Sequence, residues 1–223
     1  FDAYIFGVTA TPNDAYRYAK GEGIMHPMGY EMKLQEPLDF YSVTDHGFFM
    51  GMLNAWADTS TDISQKDFAK PFHDLNEIEN ITPESAGPRS ALFSTILGGT
   101  ITEPYSDLSP NVLKAWLTKN TQVALRSFDY EIHKSAWEDV AKAANEHNDP
   151  GHFTTFIGYE FTTSTNIEGG NLHRNVIFNS SKAPIRPWTR IDSINPEDLW
   201  TWQDKLRDKG CLLYTSPSPR DLG

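Results

Sequence analysis

At 223 residues, with 39% of them hydrophobic and 22% charged, the chain is long enough for one large domain or two small ones around a proper core. Its formal net charge of −11, from 30 acidic and 19 basic residues, argues against a general nucleic-acid binder, because binding to a phosphate backbone depends on Lys and Arg displacing counterions. No run approaches the ~20 continuous apolar residues that a membrane span needs. The acidity still leaves room for a small phosphorylated substrate, because bound cations reverse the local field of an acidic site. It serves equally well as a solubility device.

In chain order, Pro12 to Lys20 reads as a short helix, with Thr11 as N-cap, Pro12 at the first helical position and Gly21 and Gly23 ending it. Residues 39–44 form a compact strand after Pro37. From about 55 to 148 the pattern is mainly helical, broken at Pro71, Pro83, Pro88, Pro104 and Pro110, with clear helices over 109–118 and 134–147. Asp149-Pro150-Gly151 marks a turn before a second strand over 153–161, and Gly169-Gly170 leads into a third over 172–178. A last helical pattern starts at Asn195-Pro196 and stops near Gly210. Strands alternating with helices predict an α/β fold, barrel-like, with a long helical insertion between the first two strong strands.

Three ligand-type side chains stand at the ends of apolar strands. His46 follows the first, Glu160 closes the second, and His173 begins the third just past the turn. Active sites of barrel-like α/β proteins assemble at such strand ends, and mixed imidazole and carboxylate ligation suits a divalent hydrolytic metal. Singly, each has an ordinary structural reading; together on one rim they point to a metal site. His26, His73, His133, His147 and His152 read as surface or structural residues. Arg174, beside the rim, is placed either to clamp a substrate anion or to make a strand-edge salt bridge.

These residues carry a family resemblance. Thr44-Asp45-His46-Gly47, with Met50-Gly51 shortly after, resembles a motif of the PHP (polymerase and histidinol phosphatase) superfamily. Ile157-Gly158-Tyr159-Glu160 resembles its metal-ligand strand, Leu172-His173 is similar to a further ligand segment, and Phe1-Asp2-Ala3 fits the tail of the opening "HxHTxxSxDA" motif. Within that group the chain most resembles the domain-of-unknown-function family 3604, through 14–22, 37–40, 137–160, 170–178 and 196–200.

The resemblance implies an incomplete, distorted β/α barrel of about seven strands and a site for about two or three divalent ions, Zn, Mn or Fe. It implies Asp2, His46, Glu160 and His173 as metal ligands, and Asp45 as a residue orienting His46 or a bound water. The expected activity is metal-assisted hydrolysis of a small-molecule substrate, a phosphoester foremost. An amide or sugar-derivative hydrolase and a non-catalytic binding domain stand as alternatives. The "HxH" pair of the family would precede Phe1, and further "PH" and "DxH" ligands would follow Gly210, so residues 1–210 are expected to be a partial domain with an incomplete site. From Cys211 onward the chain resembles a translated sequencing adapter, and 211–223, with the single cysteine, is expected to be a non-native tail. By composition alone the same stretch reads as a Ser/Pro tail.

Overall fold

The computed structural model describes residues 1–96, 127–164, 171–193, 195–209 and 213–217. Strands β1 (Ile24–Met25) and β2 (Glu31–Met32) form a small antiparallel hairpin. Strand β3 (Phe40–Tyr41) runs parallel to β4 (Thr154–Thr155), and β5 (Ile157–Ser164), β6 (Asn171–Phe178) and β7 (Leu213–Pro217) make an antiparallel sheet in that order. No closed barrel forms among the described residues.

The strands predicted over 39–44 and 153–161 are each interrupted, yet they keep one register. Phe40 pairs with Thr154 and Tyr41 with Thr155, and the same offset returns at an isolated parallel bridge between His46 and Glu160. Between these points the Ser42 hydroxyl donates to the Phe156 carbonyl at 2.9 Å. The segment after β3 therefore follows β5 to its ligand residue, although regular pairing is formed only near its start.

The pleat then sorts side chains by face. Ile157, Tyr159 and Phe161 alternate to one side and are joined there by Val176 and Phe178 of β6. Helices cover this side: Tyr16 and Ala19 from Pro12–Ala19, Trp137, Val140, Ala143 and Ala144 from Tyr130–His147, and Leu199 from Pro196–Arg207. Gly158, Glu160 and Thr162 fall on the other face, where Thr162 lies opposite His173. The chemistry-bearing residues thus share the face opposite this core.

A second apolar cluster lies on the insertion side and contains Ile5, Phe48, Phe49, Met52, Leu53, Trp56, Phe72 and Ile191. Described parts of the insertion comprise helix Met52–Ala57, four short 3-10 turns between Ile63 and Ser85, helix Ala86–Ile96 and helix Tyr130–His147. The helix predicted over 109–118 lies outside the described residues. His46 stands in the few residues that pass from Val43 of the first cluster to Phe48 of the second.

Helix starts follow their cap chemistry. Thr11 caps Pro12–Ala19 through a reciprocal bond with Asp14, and Asn195 caps Pro196–Arg207, both with proline in the first turn. Asp129 caps Tyr130–His147, four residues earlier than the start read from the periodicity at 134. The apolar stripe begins a turn inside that helix, so the stripe alone places its start late.

Candidate metal centre

His46, Glu160 and His173 converge as buried residues, and one ligand atom from each lies within 4.8 Å of the others. Glu160 Oε2 is the hub, 2.6 Å from His46 Nδ1 and 3.2 Å from His173 Nδ1. Two imidazoles and a carboxylate are the donor set of open divalent metal sites, in which a fourth position is left for water or substrate. With bonds of about 2.0–2.2 Å, such an ion needs its donors close together, and the three atoms meet that requirement.

The backbone delivers this geometry. The parallel bridge sets His46 beside Glu160, and antiparallel pairing sets His173 opposite Thr162, two positions from Glu160's own partner Asn175 and so on the same face. Gly47 is required by the close approach that follows. A Cβ there would stand 2.7 Å from the Tyr159 ring and 3.1 Å from Thr189 Cγ2, so only glycine lets the loop lie against β5. The Gly47 amide donates to the Glu160 carbonyl at 2.8 Å, while its own carbonyl faces His133 Nε2 at 2.5 Å.

Of the other expected ligands, Asp2 reaches the cluster from a different side. Its Oδ2 is 3.5 Å from His46 Nε2, the nitrogen remote from Glu160. His46 is therefore held between two carboxylates, one at each ring nitrogen. Burial works to lower its pKa, but hydrogen bonding and charge from Asp2 and Glu160 outweigh that, and the net shift is upward. An imidazole that gives one nitrogen to a metal commonly donates its other N–H to a carboxylate. In that scheme, Asp2 orients His46 while Glu160 and His173 share its ion.

Asp45 lies at the mouth of a cavity of about 650 Å³ lined by Asp2, Ala3, Phe6, Thr44, His46, Phe93 and Glu160 as well. Crowding by the surrounding chain raises its carboxyl pKa, with the positive charges of the chain N-terminus and His46 opposing and Asp2 adding to the rise. Arg174 is not brought into the cluster. It follows His173 on β6 and pairs with Phe161, so its side chain leaves the strand on the helix-covered face, and its Nη1 donates to the His173 carbonyl at 2.7 Å.

Thr162 is a site residue that the sequence reading passed over. Its buried hydroxyl donates to Glu160 Oε2 at 3.0 Å and stands 2.7 Å from His46 Nδ1 and 3.3 Å from His173 Nδ1. Strand period supplied the signal, since a residue two beyond Glu160 shares its face. His133, expected to be structural, is fully buried with its ring against the backbone of the ligand loop.

A buried His–Glu–His cluster on a helix-backed sheet makes a candidate metal-binding site. The chain belongs to the family of proteins of unknown function DUF3604, whose model matches residues 1–218. No curated protein and no solved structure matches it. Among the described residues no helix is long and apolar enough to cross a membrane.

Proposed function

We propose that the chain carries the ligand-bearing face of a PHP-type metal-dependent hydrolase, with a barrel architecture and a small phosphoester as substrate. The observation that carries this reading is the buried His46–Glu160–His173 cluster beside a cavity that also takes in Asp2 and Asp45. A bound divalent ion would supply Lewis acidity and an activated water near neutral pH. His46, Glu160 and His173 would hold it, Asp2 would fix the ring of His46 from the opposite nitrogen, and Thr162 would set the carboxylate of Glu160. Asp45, which lines the cavity beside His46, would orient His46 or a bound water. Phe93 and Phe6 close the rim with apolar surface.

The test is reconstitution of the purified protein with Zn²⁺, Mn²⁺ or Fe²⁺, followed by metal analysis and assay on p-nitrophenyl phosphate and its diester. Stoichiometric metal together with metal-dependent turnover supports the proposal. Metal uptake without hydrolysis of any ester, amide or sugar derivative would favour a binding domain. Failure to take up any of the three ions would sink the metal reading itself.

A further inference from the structure

The segment from Pro184 to Ser193 is tied down along its length. Trp137 Nε1 donates to the Pro184 carbonyl at 2.8 Å, and the Tyr159 hydroxyl donates to that of Trp188 at 2.9 Å. Arg186 and Asp192 close a two-pronged ion pair within it, and the Thr189 amide donates to Asp192 Oδ2 at 2.9 Å. Thr189 and Ile191 are both buried. Arg190 therefore projects from a fixed stretch of backbone.

Its guanidinium carbon lies 3.7 Å from the centre of the Phe48 ring, and that ring is 5.3 Å from the ring of His46. One aromatic side chain thus separates the cation from the metal-binding cluster. Arg17, Arg186 and Arg207 each hold a carboxylate, but Arg190 makes no ion pair and no hydrogen bond among the described residues. Burial, unopposed by any neighbouring charge, pushes its pKa down to about 10, so it remains cationic at neutral pH. Arg190 is half-buried and none of its N–H donors is sealed off without a partner, so the fork is reachable by an incoming anion. Stacking on Phe48 satisfies one face and leaves the fork open.

We propose that Arg190 binds the phosphoryl oxyanion of the substrate, with Phe48 holding the guanidinium flat beside the cluster; this rests on the hydrolase reading above. A tetrahedral oxyanion accepts two parallel N–H bonds from such a fork. Phe48 belongs to the loop that carries His46, so anion and metal recognition share one rigid piece of chain. In this arrangement Arg190, and not Arg174, supplies the positive charge of the site.

The experiment is calorimetric titration of inorganic phosphate into the protein, with and without Zn²⁺, for the wild type, Arg190→Lys and Arg190→Met. Wild-type protein is expected to bind phosphate. Arg190→Met should weaken that binding by about tenfold or more and Arg190→Lys by less, since the charge survives but the fork does not. Both variants should keep the wild-type affinity for Zn²⁺. If Arg190→Met does not fold, a loss of phosphate affinity in Arg190→Lys at unchanged Zn²⁺ affinity carries the same weight. Phosphate binding that is absent in the wild type, or unchanged in the folded variants, overturns the proposal. Arg190-dependent phosphate binding by a protein that takes no Zn²⁺ would instead overturn the metal reading and leave the anion site standing.

Discussion

His46 and Glu160 meet across a single parallel bridge, with Nδ1 and Oε2 2.6 Å apart, although the regular pairing that sets their register lies at Phe40–Tyr41 and Thr154–Thr155. The contact is therefore fixed by the strands and not by a local loop. Because Glu160 also faces His173, while Asp2 meets His46 at its far nitrogen, the two carboxylates differ in rank. Glu160→Gln is expected to lower Zn²⁺ affinity by about a hundredfold and Asp2→Asn by only about tenfold, the scale of lost orienting partners. Titration with a competing chelator measures both. Equal losses would show that Asp2 ligates directly and that His46 uses Nε2.

Thr162 occupies the centre of the cluster, within hydrogen-bond reach of all three ligand residues. A neutral hydroxyl is a weak metal ligand, and its single proton is given to Glu160. Its expected part is to aim that carboxylate and to hold the two imidazoles apart until an ion replaces the contacts. Thr162→Val should cost about tenfold in metal affinity, whereas Thr162→Ser should stay near the wild type. Tighter metal binding by the Val variant would mean that the hydroxyl competes with the ion instead of preparing its site.

Much of the site was legible because strands put chemistry where periodicity can see it. Apolar runs ending in His46 and Glu160, and one beginning at His173, marked a rim before any fold was known, and the cluster brings those three residues together. The Thr11 cap and Pro12 were legible for the same reason, since capping is local chemistry. Arg190, Arg89 and His133 were not. Each acts through partners far away in the chain: Phe48, the carbonyls of three separate turns, and Gly47 respectively. No local pattern encodes such partners. Arg174 directly follows His173, and neighbours on a strand face opposite ways, so nearness in sequence does not by itself put a side chain on the ligand face.

His133 gives the fold a dependence on pH. Burial depresses its pKa below 6.5, with the hydrogen bond to Gly47 partly opposing and the charge of Arg186 adding to the fall. The folded chain therefore keeps the ring neutral under conditions where the unfolded chain would protonate it. This contribution is complete above about pH 6.5 and is lost as pH falls toward the depressed value, by up to about 1.4 kcal/mol per pH unit. Urea unfolding between pH 7 and pH 5 should show a shallower slope for His133→Gln than for the wild type. Parallel slopes would show that the ring is protonated in the folded state.

Arg89 joins the insertion to the start of the chain. Its buried guanidinium donates from Nη1 to the Ile5 carbonyl at 2.6 Å and to Asn76 Oδ1 at 2.9 Å, and from Nη2 to the carbonyls of Leu75 and Asn80 at 2.5 and 3.0 Å. No carboxylate takes part, so the side chain acts as a charged hub for backbone dipoles. Ile5 ends the short helix Asp2–Ile5 that presents Asp2 to His46, and the hub therefore fixes one side of the metal centre from a distance. Arg89→Met strips the charged donor from several buried acceptors at once and should destabilise the fold by about 3 kcal/mol. Arg89→Lys, with one ammonium for several directions, should recover only part of that. Because the variant loosens Asp2 and leaves Glu160 and His173 in place, its loss of Zn²⁺ affinity should match that of Asp2→Asn and fall short of that of Glu160→Gln. A folded Arg89→Met protein with wild-type metal affinity would show that Asp2 keeps its position without the hub.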